Sequence, residues 1–331
     1  MYKNQPPLSL SRLTGNSWPM MAGYLANSIS GFVVFVILLN NLSSTEYGLI
    51  VLYSTTVVFI GLVGSGGLQG ALEGKFHHYL DLDQMDDFLS TSFATSSIFM
   101  IIVVSLTFFL SLLHDPFENS GDFPYLSIIA MACIASIFTS HTSLGTSLLK
   151  ISEKTFGIAA ISILSSIVSV ILAYLLLIHL DFGIKGALFT LLITRVLIGI
   201  SYSIVVFRKI SIFSFNSKIA KSIIVFGFPL MLTAATSTIT NLGDRFVIES
   251  LMGASDVGVY NAGYQFFAVA LSLGIVVVNG WTPIFFDGMA KDPSNKRIFS
   301  DFASIGSSLG ALGFLTFITI FNLFQGSILP D

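Results

Sequence analysis

The amino-acid sequence predicts an all-α polytopic membrane protein with two parallel six-helix lobes, of which the second lobe is incomplete. Three observations predict this fold: the composition, the number of long apolar segments and an internal repeat. Of the 331 residues, 53% are hydrophobic and 10% are charged, whereas a soluble domain carries about 25% charged residues. One soluble core cannot absorb this apolar excess, so we expect most of the chain to lie in lipid.

Nine segments are long and apolar enough to cross a bilayer, which takes about 20 helical residues. They are 17–39, 47–72, 88–113, 123–149, 156–179, 184–207, 222–250, 258–286 and 300–324. The first segment follows basic residues, as in a signal peptide, but its apolar part is too long and lacks a cleavage-like site. We therefore interpret it as an uncleaved first span.

The distribution of lysine and arginine predicts the orientation of these spans. Twelve of the 15 basic residues lie in the N-terminal tail and in every second loop after it, whereas the opposite loops hold only Lys185. Cytoplasmic loops of membrane proteins are enriched in these residues, so we expect the N-terminus in the cytoplasm. The two remaining basic residues, Arg195 and Arg245, lie inside predicted spans.

An internal repeat is detectable at an offset of 210 residues. SWPMMAGYLANSI aligns without gaps with GFPLMLTAATSTI, so that Pro19 falls on Pro229, and the same register places Gly48 on Gly258. Six spans separate equivalent positions, so both copies face the same way, and the two lobes are related by an axis along the membrane normal. Proline in a membrane helix allows a kink, and we expect Pro19 and Pro229 to serve conformational change.

The repeat divides the chain into an N-terminal six-helix lobe (1–207), a cytoplasmic connector (208–221) and a partial C-terminal lobe of three helices (222–331). The connector is basic and can also be an interfacial helix bound to anionic lipid. Position 331 corresponds to position 121 of the first lobe, so we expect three further spans to be missing from the second lobe. An inactive truncated product is therefore one alternative.

Two stretches carry a resemblance to a known family. STEYGLIVLYSTTVVFIGLVGSGGLQGAL (44–72) is similar to that family's second helix, and LGDRFVIESLMGASDVGVYNAGYQ (242–265) to its seventh and eighth helices. The chain resembles the polysaccharide-export branch, the Wzx-type flippases of O-antigen and other lipid-linked oligosaccharides, in the multidrug/oligosaccharidyl-lipid/polysaccharide exporter superfamily.

The resemblance implies a transporter and not an enzyme. It would move an isoprenoid-diphosphate-linked oligosaccharide, such as an O-antigen or capsule repeat unit, from the cytoplasmic to the periplasmic leaflet of a bacterial inner membrane. The implied partners are this substrate, membrane lipid, and the polysaccharide polymerase with its chain-length machinery. Neither a cofactor, a metal nor a nucleic acid is expected.

Arg195 lies at the middle of the 184–207 span, near the expected bilayer midplane. Arginine stays charged, and its planar fork fits phosphate or carboxylate groups. We predict that Arg195 binds the diphosphate or acidic sugars in a central cavity shared with Arg245. The alternative is a structural ion pair with Asp244 or Glu249 across the lobes.

Asp244, Arg245 and Glu249 cluster near the outer end of the seventh span. Arg245 and Glu249 are four residues apart and share a helix face, so a local ion pair between them is one interpretation. The other places them in the outer half of a hydrated cavity, where Arg245 binds substrate, Asp244 exchanges protons and Glu249 lies at the rim. Asn241, one turn below Arg245, is a further candidate for substrate binding.

His141 is a weaker candidate, because it lies among serine and threonine residues in the fourth span. It could relay protons for ion coupling, or it could be hydrogen-bonded for structural reasons alone.

Two other functions remain as alternatives to a flippase. A multidrug exporter of the same superfamily would favour acidic cavity residues for cationic drugs, whereas Arg195 and Arg245 favour an anionic substrate. A membrane enzyme such as an O-antigen polymerase or acyltransferase is disfavoured, because a polymerase would show a long periplasmic loop and the longest outer loop here has about ten residues.

Overall fold

The computed structural model describes residues 10–113, 125–152, 154–210 and 213–265, and a few single residues between 268 and 319. Every regular element within these residues is a helix. The elements are α1 (Leu10–Asn41), α2 (Ser44–Ser65), α3 (Leu68–Asp81), α4 (Met85–Leu113), α5 (Tyr125–Ile151), α6 (Thr155–Ala173), α7 (Gly183–Phe207), α8 (Ser217–Leu242), α9 (Asp244–Met252) and α10 (254–265). A π-helical turn, Tyr174–His179, extends α6.

By length and composition, seven described segments can cross a membrane, and they confirm the first seven predicted spans in number and order. They are Trp18–Asn41, Ser44–Asp81, Met85–Leu112, Leu126–Ile151, Thr155–His179, Gly183–Phe207 and Ser217–Leu242. The predicted spans 258–286 and 300–324 lie largely outside the described residues.

The second span is longer than predicted, because α2 and α3 follow each other almost without a break. Gly66 and Gly67 join them with φ of 57° and 71°, a left-handed conformation that glycine adopts without steric cost. The 38 residues of this segment extend over about 57 Å at 1.5 Å per residue, well beyond the roughly 30 Å of hydrocarbon. The segment is therefore longer than one straight crossing of the apolar layer requires.

The predicted seventh span, 222–250, is wrong in its boundaries. The helix α8 ends at Leu242, and α9 begins at Asp244 after a turn at Gly243. An added Cβ at Gly243 would lie 2.6 Å from the carbonyl oxygen of Ile239, so the turn is closed by close backbone packing. A carboxylate in the first turn of α9 is favoured by the helix dipole.

Close contacts through glycine hold the helices of the first lobe together. An added Cβ at Gly145 of α5 would lie 2.5 Å from Tyr202 Cβ on α7, and one at Gly199 of α7 would lie 2.5 Å from Phe138 Cβ on α5. Small residues at such positions let membrane helices approach closely, where lipid offers no hydrophobic driving force.

At the start of α2 the two lobes meet through a pair of repeat-equivalent glycines. An added Cβ at Gly48 would lie 1.8 Å from the carbonyl oxygen of Ala254, and one at Gly258 would lie 2.2 Å from that of Ser44. Ser44 and Ala254 are themselves equivalent at the 210-residue offset. Each lobe therefore contributes the equivalent glycine and the equivalent carbonyl group to this contact, as expected for two lobes related by a two-fold axis.

The lobes meet again where α2 gives way to α3. An added Cβ at Gly67 would lie 2.0 Å from the carbonyl oxygen of Gly227 in α8. Further along α3, Gly70 and Gly74 accommodate the side chains of Leu230 and Phe226. Between the two inter-lobe contacts the helices separate and leave a central cavity.

Candidate functional site

The central cavity lies between the lobes and has a volume of about 410 Å³. Residues of α1, α2, α6 and α7 line it from the first lobe, and residues of α8, α9 and α10 line it from the second lobe. Both arginines of the predicted spans, Arg195 and Arg245, are among them, so the prediction that they share one cavity is confirmed. Among the described lining residues there is no aspartate or glutamate.

Arg245 is held on all sides by polar and aromatic groups. Its guanidinium group donates through Nε to Asn261 Oδ1 at 3.2 Å and through Nη1 to the Asn241 carbonyl oxygen at 2.9 Å. The guanidinium carbon lies 4.8 Å from the centre of the Tyr264 ring. The side chain is 3% exposed, and a charge this buried must be paired and hydrogen-bonded.

The partner of Arg245 is Asp244, whose Oδ1 lies 2.9 Å from Nη1. The predicted alternative of an Arg245–Glu249 pair is therefore wrong. That interpretation assumed one continuous helix, in which neighbouring side chains diverge by about 100°. In the structure the Arg245 side chain reaches back to the end of α8, where Nη1 donates both to the Asn241 carbonyl oxygen and to Asp244 Oδ1.

The second oxygen of Asp244 accepts a hydrogen bond from the Tyr260 hydroxyl group. Both carboxylate oxygens of Asp244 are thus engaged, one by α9 and one by α10. Its side chain is 36% exposed, so water reaches the group. Proton exchange by Asp244 stays a prediction.

Asn261 extends this network across the lobe boundary. While its Oδ1 accepts from Arg245, its Nδ2 donates to the Tyr47 hydroxyl group of α2 at 2.9 Å. Asn261 and Tyr47 are both buried, at 9% and 5% exposure. Sequence reasoning missed these two residues together with Tyr260 and Tyr264. The i, i+4 spacing of the two tyrosines in VYNAGYQ was a usable signal for one polar face.

Arg195 lies in the middle of α7 and lines the same cavity with an exposed side chain. The predicted alternative, an ion pair with Asp244 or Glu249, is not formed: Asp244 pairs with Arg245, and Glu249 forms no ion pair with a described residue. Arg195 interacts electrostatically with Tyr53 of α2. The Tyr53 hydroxyl group is buried and has no hydrogen-bond partner among the described residues.

Four of the predicted binding and ion-coupling residues are not among the lining residues of the cavity: Asn241, Asp244, Glu249 and His141. The Asn241 amide group donates to Ser237 Oγ at 3.3 Å, and its backbone carbonyl group, not its side chain, binds Arg245. Glu249 is half-buried in α9 and forms no ion pair with any described residue.

His141 of α5 packs against α4 and α7. Its ring lies 4.7 Å from the ring of Phe93, and its Nδ1 and Nε2 atoms lie 3.2 Å from Ser203 Oγ and 3.5 Å from Ser97 Oγ. Both nitrogens have a hydroxyl neighbour, so the contacts favour the structural alternative over a proton relay.

The sequence places this helical bundle in a known family. A family model described as "Polysaccharide biosynthesis protein" matches residues 13–289. The chain belongs to this family. A search among curated proteins finds no significant match.

Solved structures similar to this member of the family are transporters. One is the outward-facing conformation of a multidrug resistance MATE family transporter of the MOP superfamily, with a TM-score of 0.60 and 15% identity over 98% of this chain and 76% of the other. The inward-facing conformation of a multidrug resistance MATE family transporter has a TM-score of 0.57 and 14% identity over 97% of this chain and 72% of the other. A third is MATE in complex with MaL6, with a TM-score of 0.60 and 16% identity over 96% and 73%.

At these identities the likeness shows the fold. The family and the fold together make this chain a multi-pass membrane transporter of the MOP superfamily, and they point away from an enzyme.

The two predicted conformational prolines of this family member lie within continuous helices. Pro19 is buried in α1, and Pro229 is exposed in α8. Thr233 Oγ1 donates to the Pro229 carbonyl oxygen at 3.1 Å, a local bond that often accompanies bending in helices. Their role in conformational change stays a prediction.

Proposed function

We propose that this protein flips an isoprenoid-diphosphate-linked oligosaccharide from the cytoplasmic to the periplasmic leaflet of a bacterial inner membrane. The observation that carries the proposal is the pair Arg195 and Arg245 in one cavity whose described lining has no carboxylate. Arg245 is neutralised by Asp244, whereas Arg195 has no such partner among the described residues. The cavity thus has a net positive charge where an anionic head group would lie.

Different residues around the cavity would bind different parts of such a head group. Arg195 offers a planar fork with five donors, which suits a diphosphate. Arg245, Asn261 and Tyr47 are fixed by one another and present rigid polar groups to the sugar hydroxyl groups. A volume of about 410 Å³ lies within the range of small-ligand sites and accommodates the diphosphate with the sugars next to it.

Transport then proceeds by alternating access. The lobes touch at both ends of α2, through Gly48 with Gly258 and through Gly67 with Gly227. Opening toward either leaflet requires one of these two contacts to separate while the other persists. The Asp244–Arg245 pair lies beside the cavity and is the place for ion coupling. The product would pass to the polysaccharide polymerase and its chain-length machinery, in O-antigen, lipopolysaccharide or capsule synthesis.

A multidrug exporter is the second candidate, favoured by the aromatic residues Phe35, Tyr47 and Tyr264 in the cavity lining. A cationic drug would, however, meet two arginines there and no free carboxylate within the described lining. The charge of the cavity therefore favours the flippase.

The test is complementation of a bacterial strain that lacks its own flippase. We expect Arg195→Ala to abolish complementation, and Arg195→Lys to retain part of it because charge persists without the fork. Arg208→Ala is the matched control, since it removes an arginine from the end of the same helix, outside the cavity. Normal complementation by Arg195→Ala would refute the binding role. Drug resistance conferred by the unchanged chain without complementation would favour the exporter.

A further inference from the structure

A second cavity, of about 670 Å³, opens between α3 of the first lobe and α8 of the second lobe. It shares no lining residue with the central cavity. Its lining combines three lysines with an apolar strip of α8: Lys75, Lys218, Lys221, Ser222, Val225, Phe226, Pro229 and Leu230. We refer to it as the lysine groove.

The three lysines of the groove are not neutralised by the described residues. No carboxylate is among the lining residues, and none of the three lysines forms an ion pair with a described residue. Lys75 Nζ donates to Ser222 Oγ at 2.7 Å and lies 5.4 Å from the centre of the Phe226 ring. Glu73, which is close in sequence, accepts from Ser147 Oγ of α5 at 2.6 Å. The groove is therefore a site of uncompensated positive charge.

The apolar part of the groove is exposed. Val225, Phe226 and Leu230 keep 66%, 42% and 41% of their surface accessible. They follow Lys221 along α8 for nine residues, about 14 Å at 1.5 Å per residue. Positive charge at the start of the helix and apolar surface along its next two turns match an anionic amphiphile and not a free ion.

We propose that the lysine groove binds an anionic phospholipid of the cytoplasmic leaflet, with its phosphate on the three lysines and an acyl chain along Val225–Leu230. The proposal rests on the predicted orientation, in which the basic loops are cytoplasmic, and not on the identity of the transported substrate. Basic pockets between membrane helices on that side take anionic head groups. Lysine binds phosphate as a point charge and lacks the bidentate fork of arginine. Point charges of this kind suit a single phosphodiester group.

A lipid in this groove would contact both lobes at once. The groove lies beside the Gly67–Gly227 contact, which must open and close during alternating access. Bound phospholipid therefore adds contacts to the state in which α3 and α8 are together and favours that state.

Native mass spectrometry of the detergent-solubilised protein tests the proposal. With equal concentrations of phosphatidylglycerol and phosphatidylcholine, we expect the unchanged protein to retain phosphatidylglycerol preferentially. The double variant Lys218→Ala/Lys221→Ala should weaken this retention by about tenfold or more, because each lysine near an anionic head group contributes measurably. The matched control, Lys150→Ala/Lys154→Ala, removes two basic-loop lysines outside the groove and should retain the preference.

Equal retention of both lipids by the unchanged protein would overturn the proposal, and so would a preference that survives the double variant. Displacement of phosphatidylglycerol by millimolar inorganic phosphate would overturn it by showing that the site binds phosphate without lipid. Stronger binding of an isoprenyl phosphate would assign the groove to that lipid instead. If the alanine variant is unstable by size exclusion or thermal unfolding, Lys218→Gln/Lys221→Gln repeats the test. Arg195→Ala should keep normal lipid retention, so failure of the flippase proposal would be seen separately.

Discussion

The two lobes present equivalent backbone positions to the central cavity but different chemistry. At the 210-residue offset Phe35 corresponds to Arg245, and Val51 corresponds to Asn261. All four residues line the cavity. The first-lobe pair is apolar, whereas in the second lobe Arg245 donates a hydrogen bond to Asn261. We refer to Phe35 and Val51 as the apolar wall and to Arg245 and Asn261 as the polar wall, although the first lobe also contributes polar lining residues elsewhere in the cavity, Arg195 among them.

This difference shows how a duplicated transporter can bind an asymmetric substrate. Identical walls would offer a head group two equal positions, one on each lobe. Here the apolar wall around Phe35 rejects a charged group, because burying an unpaired charge is costly. The head group is expected to contact Arg245 and Arg195, which comes from α7 of the first lobe, until it is released on the other side of the membrane.

The largest effect is expected from fixing the two lobes to each other at the Gly48–Gly258 contact. Ser44 Oγ and Ser255 Oγ lie 2.9 Å apart across that contact. The double variant Ser44→Cys/Ser255→Cys should form a disulfide on oxidation and lose transport completely, because the lobes can then no longer separate there. Complementation, with gel mobility under non-reducing conditions, is the measurement.

Each single cysteine variant is a control for this cross-link, and a reductant should restore transport. Transport that persists in fully cross-linked protein would contradict alternating access at this contact.

The next largest effect is expected from Arg245→Ala, which tests the polar wall directly. The variant removes two hydrogen bonds of a buried charged group, to Asn261 and to the Asn241 carbonyl oxygen, and each such bond is worth about 1.5–3 kcal/mol. Thermal unfolding in detergent should show a clear fall in melting temperature.

The first lobe suggests a compensating variant. Val34 and Phe35 occupy the positions equivalent to Asp244 and Arg245, and both are buried. We expect the double variant Asp244→Val/Arg245→Phe to recover much of the lost stability, since apolar residues of similar volume can replace a buried pair. Transport should not recover. Recovered transport would show that the difference between the walls is unrelated to substrate binding.

A smaller effect is expected at the symmetric glycine contact. Gly48→Ala would place a Cβ 1.8 Å from the Ala254 carbonyl oxygen, and relieving such crowding costs about 1–3 kcal/mol. Gly263→Ala is the matched control, because nothing lies within 4 Å of its Cβ position. Equal melting temperatures for the two variants would contradict close packing of the lobes at Gly48.

Much of the fold could be predicted from sequence, because lipid imposes long apolar helices and the repeat register is carried by proline and glycine. The shared cavity of Arg195 and Arg245 was also predictable, since charges inside spans face protein or water. The partner of Arg245 was not predicted, because it depends on where α8 ends. Glycine often follows the last residue of a helix and aspartate is enriched in the first turn of one, and Gly243 with Asp244 fits an end followed by a start.

The cross-lobe part of the site was beyond sequence reasoning. The hydrogen bond between Asn261 and Tyr47 joins residues more than 200 positions apart. No local pattern indicates this pairing, which depends on how α10 packs against α2. For His141 the neighbours Ser97 and Ser203 come from two other helices, so sequence could name the alternatives without deciding between them.

The smallest effect is expected from Tyr47→Phe, which removes the first-lobe hydroxyl group that receives the Asn261 hydrogen bond. The loss of one hydrogen bond between neutral groups costs about 0.5–1.5 kcal/mol, so the melting temperature should fall slightly.

Tyr53→Phe is the matched control on the same helix. The Tyr53 hydroxyl group is buried without a hydrogen-bond partner among the described residues, so its removal should leave stability unchanged or raise it. If Tyr47→Phe is as harmless as Tyr53→Phe, the polar network ends at Asn261 and the walls are chemically separate. If it alone destabilises the protein, the polar wall reaches across the boundary and ties the first lobe to the second.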